Sequence, residues 1–125
     1  MKNAINWFEI AVMDFERAKI FYETVLGSTI NVLNLGEGFK MGLLGADPDG
    51  VGGAIVWHAA GFYKPSAEGA LIYLNGDPDL SVMLDRVETA GGKIVIAKRQ
   101  ISEEFGYMGI FTDSEGNRIA LHSNG

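Results

Sequence analysis

The 125-residue chain contains no cysteine, only two histidines and three prolines, and fewer basic than acidic side chains, ten against sixteen. Each shortage excludes something. Without thiols there is no disulfide framework, no thiol redox chemistry and no zinc centre of the cysteine kind. A net charge of −6 with no basic stripe argues against nucleic acid as a partner, because no row of cations is present to displace counterions. No apolar run approaches the ~20 residues of a membrane span, and the N-terminus has no charged-then-apolar leader, so the chain reads as a soluble, cytoplasmic protein with no membrane partner. A chain of this length buries roughly two-thirds of its unfolded surface, enough for a core that needs no covalent staple.

The stretch Asn6 to Gly27 organises what is present. Phe8, Ile10 and Val12 alternate with Trp7, Glu9 and Ala11, the period of two expected of a strand with different environments on its two faces. Asp14 suits a helix N-cap, and Phe15, Ala18, Phe21, Tyr22, Val25 and Leu26 follow at helical spacing up to Gly27. That helix should pack on the Phe8/Ile10/Val12 face. Two short strands, Ser28–Leu35 and Phe39–Leu44, join through Gly36-Glu37-Gly38; the turn Asp47-Pro48-Asp49-Gly50 leads to a fourth strand near Gly53–Trp57.

After an aperiodic linker, 59–69, the same order returns. Strand Ala70–Asn75 precedes Asp77-Pro78, which reads as an N-cap with proline at the first helical position; Leu80, Met83, Leu84 and Val87 form the apolar stripe, and Gly91-Gly92 ends the helix. Strands near Lys93–Ile101, Tyr107–Asp113 and Arg118–Ser123 complete the second half, with Asp113-Ser114-Glu115-Gly116 matching the earlier turn. The expected fold is α+β, two βαβββ modules (1–58 and 70–125) in a single domain of residues 1–125.

Val12-Met13-Asp14, Phe21-Tyr22 and Leu26-Gly27, then Ala90-Gly91-Gly92, then Phe111-Thr112-Asp113-Ser114-Glu115-Gly116-Asn117-Arg118-Ile119, resemble the vicinal oxygen chelate superfamily of glyoxalase I, bleomycin-resistance proteins, fosfomycin-resistance enzymes and extradiol dioxygenases. Trp7-Phe8-Glu9-Ile10, Tyr63-Lys64-Pro65-Ser66 and Leu121-His122-Ser123 look like a glyoxalase-like branch. The resemblance spans the whole chain. It implies curved mixed sheets enclosing a cleft, often completed by a second subunit, hence a homodimer. It also implies a divalent metal held by His, Glu or Gln from the first and last strand of each module. The matching positions here are Trp7, Ala54, Leu71 and Ala120, and an indole, two methyls and an alkyl chain offer a cation no lone pair. The expectation is therefore a cleft with no metal and no other cofactor.

Strand alternation places Trp7, Glu9, Ala11, Ala54, Val56, His58, Tyr73, Ala120 and His122 on the face that would line the cleft. Glu9 and His122 there form a candidate acid–base pair. Against that stand a purely structural pairing of Glu9 with His122, Arg118 or a backbone amide, and a role for His122 as a polar strand end. A replacement metal site of Glu9, His58 and His122 is a further alternative, with nothing in the spacing to fix it. Trp7, Phe62, Tyr63, Tyr73 and His58 are the candidate ligand-binding residues, and Trp57, Phe105 and Tyr107 either join them or fill the core. Phe62 and Tyr63, in the inter-module linker, suit a rim or lid. Two functions follow: a protein that binds a small, partly apolar or cationic metabolite or toxic compound, or a glyoxalase-like lyase, isomerase or dioxygenase acting on a small carbonyl or oxygenated metabolite with Glu9 as base and His122 as acid or orienting group.

Overall fold

The computed structural model describes residues 2–45 and 47–125. The elements run β1 (Trp7–Ala11), α1 (Phe15–Leu26), β2 (Asn31–Asn34), β3 (Phe39–Leu44), β4 (Gly52–His58), β5 (Ile72–Asn75), α2 (Ser81–Leu84), α3 (Val87–Ala90), β6 (Lys93–Ser102), β7 (Gly106–Thr112) and β8 (Arg118–Ser123). They form two four-stranded sheets of matching topology, β1-β4-β3-β2 and β5-β8-β7-β6. In each the first strand lies parallel to the last, and the remaining neighbours are antiparallel. The α+β fold of two βαβββ modules is thus the observed one, with neither sheet closed into a barrel.

The period of two in β1 is realised: Ile10 and Val12 are buried against α1, while Trp7 and Glu9 on the opposite face are exposed. Asp14 caps α1 by accepting from the Arg17 amide at 3.1 Å, and the helix buries Phe15, Ala18, Phe21, Tyr22 and Val25. These side chains meet Leu80, Leu84, Val87, Phe111, Ile119 and Leu121 of the second module in one continuous core. The Phe21 and Phe111 rings, 5.9 Å apart, bridge the two halves. Each fully buried large apolar side chain of this kind contributes about 1.5–3 kcal/mol, so the modules are joined by hydrophobic burial rather than by the linker.

The second helix departs from expectation. Asp77 does not cap it and Pro78 does not open it; the Asp77-Pro78 peptide is cis, and helix starts three residues further on. The Asp77 carboxylate instead accepts from the Asn124 amide at 2.7 Å. Helix begins at Ser81, with no side-chain cap from Leu80, and divides at Asp85-Arg86 into two four-residue pieces. The Leu80, Leu84 and Val87 stripe is nonetheless buried as its spacing predicts. No helix among the described residues is long and apolar enough to cross a membrane.

Candidate functional site

The edge of the first sheet, β1, and the edge of the second, β5, approach each other across a seam roofed by the linker. Asn117 holds this seam. Its Nδ2 donates to the Ala11 carbonyl at 2.7 Å and to Asp113 Oδ2 at 3.0 Å, while its Oδ1 accepts from the Ser66 amide at 2.9 Å. One amide side chain therefore ties the end of β1, the β7–β8 turn and the linker together. Tyr22 donates its hydroxyl to Asp113 Oδ2 in the same buried network, and burial, with the Asp113 carboxylate, pushes the phenol well above its usual value.

Beneath the roof lies a cavity of about 210 Å³. Glu9 and Ala11 of β1, Lys64 and Ser66 of the linker, Ile72 of β5 and Arg118 of β8 are among its walls. Glu9 Oε2 accepts from Trp7 Nε1 at 3.3 Å. Desolvation and the nearby Glu9 carboxylate raise the Tyr63 phenol above its ordinary value. Three ion pairs form among the described residues, Arg17–Glu115, Lys19–Glu23 and Lys98–Asp79, so Glu9, Lys64 and Arg118 share one cavity wall without pairing.

The aromatic candidates divide. Phe39, His58, Phe62 and Tyr63 form one cluster, with Phe39 stacked on Tyr63 at 6.1 Å and His58 edge-on to Phe62 at 5.6 Å. His58 Nδ1 accepts from the Ala60 amide at 3.0 Å, so its ring proton sits on Nε2. Phe62 is 80% exposed and Tyr63 half-buried. Trp57 and Tyr107 instead pack against the core.

His122 stands apart from Glu9. It lines a second cavity with Tyr73, Asn75 and Asp77, and its Nε2 donates to the Phe105 carbonyl at 2.5 Å. Along β8 it lies four residues, about 13 Å, beyond Arg118, which borders the Glu9 cavity. Glu9 and His122 thus line different cavities, and no hydrogen bond links them. Nor do Glu9, His58 and His122 gather into a metal site: no group of three or more His, Asp or Glu among the described residues is placed to hold an ion.

The positions at which the family resemblance implies metal ligands do not fit one. Ala54 and Ala120 are fully buried methyls, and Ala120 packs with Met108, Ile110, Leu71 and Ile96 in an apolar cluster on the face of the second sheet away from the helices. Trp7 spends its only polar atom as a donor to Glu9. Lys64 and Asn117, neither singled out from the sequence as site residues, are the additions the structure makes. Asn117 stood in the recognised motif, where its value as a three-way tie could not be seen.

A family model described as Glyoxalase/Bleomycin resistance protein/Dioxygenase superfamily matches residues 4–121. No curated protein sequence matches the chain. Among solved structures it resembles a glyoxalase/bleomycin resistance protein from Albidiferax ferrireducens T118, at 17% identity and TM-score 0.72 over 97% of this chain and 98% of that one. A Frankia sp. EAN1pec protein described as a glyoxylase/bleomycin resistance protein/dioxygenase domain gives 17% identity and TM-score 0.71 over 98% of each chain. The trypanothione-dependent glyoxalase I of Leishmania major gives 18% identity and TM-score 0.69 over 98% of this chain and 88% of that one. Identities at this level establish the shared fold.

Proposed function

The chain belongs to the Glyoxalase/Bleomycin resistance protein/Dioxygenase superfamily, and we propose that within it this protein is a metal-independent binder of a small, partly apolar molecule. The single observation that carries the reading is the chemistry at Trp7, Ala54, Leu71 and Ala120, where hydrocarbon and indole occupy the places a hard or borderline cation would need oxygen or imidazole nitrogen. Glu9 with Trp7, and the exposed rim of Phe62 and Tyr63, supply the mixture of apolar surface and a few polar groups that small-molecule sites use. The reading treats residues 1–125 as one domain, two modules joined by linker 59–69, acting in the cytoplasm as a homodimer.

The test is elemental analysis of the purified protein together with a thermal-shift titration against nickel, zinc, manganese and iron(II). A native state that binds an ion gains stability as the ion rises above its dissociation constant, by about 2.7 kcal/mol at a hundredfold excess. The expected outcome is no stoichiometric metal and no shift. Stoichiometric metal, or a saturable rise in melting temperature with any of the four ions, would overturn the reading in favour of a metalloenzyme.

A further inference from the structure

We propose that the cavity at the β1–β5 seam binds a small zwitterion, a molecule carrying both a carboxylate and a protonated amine. This rests on the binding reading above and names its ligand class. Lys64 from the linker and Arg118 from the start of β8 present two cations to the cavity, and Glu9 from β1 presents a carboxylate. In a chain with an excess of acidic groups, a shared cavity would be the natural place for these three to neutralise one another, yet none forms an ion pair. Glu9 is turned instead toward a neutral donor, the Trp7 indole, which orients its carboxylate without consuming its charge.

A ligand with one charge would satisfy only part of this arrangement. A carboxylate suits Lys64 and Arg118, with the guanidinium offering a two-pronged donor set, and an ammonium suits the Glu9 carboxylate. Ile72 and Ala70 add apolar surface to the same cavity. The volume, about 210 Å³, lies under the roughly 300–1,000 Å³ of pockets that take drug-sized ligands and suits an occupant of amino-acid dimensions. Ser66, in the same wall, is fixed by Asn117, so the roof is already positioned before a ligand arrives.

The test titrates the full-length protein with glycine, alanine and serine, and separately with acetate and ethylammonium as the two halves of the ligand. Amide chemical shifts of Ser66, Ala70 and Ala11 are followed. At least one zwitterion is expected to move these amides saturably, while acetate and ethylammonium each bind about tenfold or more weakly. Lys64→Gln, Arg118→Gln and Glu9→Gln, all at exposed positions and so expected to keep the native melting temperature, should each weaken that binding about tenfold or more. No saturable response to any zwitterion up to about 10 mM would overturn the inference. So would acetate binding as tightly as glycine and indifferent to Glu9→Gln, which would make the cavity an anion site. Neither result touches the metal test, and metal uptake would overturn the earlier reading whatever the amides do.

Discussion

Two turns of the molecule are nearly the same locally and entirely different in use. In Asp47-Pro48-Asp49-Gly50 the Asp47 carboxylate accepts from the Asp49 amide at 2.9 Å, and the Asp47 carbonyl accepts from Gly50 at 3.0 Å. In Asp113-Ser114-Glu115-Gly116 the equivalent distances are 2.8 and 3.2 Å. The first turn is exposed at every residue, whereas Asp113 is 4% exposed and its second carboxylate oxygen reaches Tyr22 of the other module. Glu115 goes further. Its Oε1 accepts from the amides of Met13 and Asp14 at the head of α1, and Arg17 closes on it at 2.7 Å. The β7–β8 turn thus supplies negative charge at the N-terminus of the first module's helix, where unpaired amides and the helix dipole favour it. Nothing comparable comes back from the first turn, and the second module's helix is two short pieces whose start is held within its own module, by Ser123 Oγ accepting from Leu80. Local turn chemistry therefore repeats with the sequence, while tertiary use depends on what lies opposite.

The comparison breaks hardest at the two aspartates. Asp113→Ala strands the Tyr22 hydroxyl in the core, leaves one of the two Asn117 Nδ2 protons without its acceptor and frees two turn amides, and is expected to cost about 3–5 kcal/mol, a large share of the stability of a domain this size. Asp47→Ala removes only an exposed local bond and should cost about 0.5–1 kcal/mol. Urea unfolding of both variants decides it; equal costs would mean that the cross-module network adds nothing to the hydrophobic join between the halves.

The same pair of turns marks what could be read without coordinates. Alternation in β1, the Asp14 cap, the α1 stripe and the matched turns were legible because each is a local pattern with a local cause. Asp77-Pro78 misled for the complementary reason: the dipeptide fits a helix start, but the chain there serves Asn124 and β8 instead, a contact 47 residues away. At the candidate site, alternation correctly put Glu9 and Trp7 on the face away from the helices. It could not tell that His122, on the corresponding face of the other sheet, opens onto a separate cavity. Lys64 stood in the recognised stretch Tyr63-Lys64-Pro65-Ser66, but a linker with no period gives no face to place it on, and its part in the cavity wall shows only with Ser66 held by Asn117.

A smaller and pH-dependent effect is expected at Glu115. Burial by itself would raise this carboxyl, but hydrogen bonds from Arg17, the amides of Asp14 and Met13 and the Ser114 hydroxyl outweigh it, and the group is held below its usual 4.5. Because the folded state binds the proton less readily than the unfolded chain, the contribution is fully present above about pH 4.5 and is lost as the pH falls through the lowered folded value. Glu115→Gln should therefore cost about 1–2 kcal/mol at neutral pH, with the difference from wild type shrinking in acid. Glu23, held down by the Ile30 amide and Lys19, and Asp79, held at about 2 by Lys98, titrate in the same limb of both proteins and cancel in that difference. Asp49→Asn, in the exposed turn, should stay within about 0.5 kcal/mol at any pH. A Glu115→Gln deficit that persists unchanged into acid would assign its effect to packing instead of charge.

The smallest effect concerns the other end of α1. Both modules close a helix on a left-handed glycine, Gly27 with φ 73° and Gly91 with φ 109°. Around Gly91 there is open space, whereas a Cβ on Gly27 would lie 2.7 Å from an Arg86 guanidinium nitrogen, the group that donates to the Val25 carbonyl at 3.3 Å. Arg86 thus places positive charge at the C-terminus of the helix whose N-terminus Glu115 serves, and both come from the second module. Gly91→Ala should cost only the left-handed backbone penalty, about 1 kcal/mol. Gly27→Ala should cost that plus the displacement of Arg86, and Arg86→Ala alone about 0.5 kcal/mol. In the double variant Gly27→Ala/Arg86→Ala the second loss is already incurred, so the two costs should fall short of additive by about 0.5 kcal/mol, while Gly91→Ala/Arg86→Ala should be additive. Additivity in both pairs would remove Arg86 from the clamp and leave Glu115 as the one charge that the second module lends to α1.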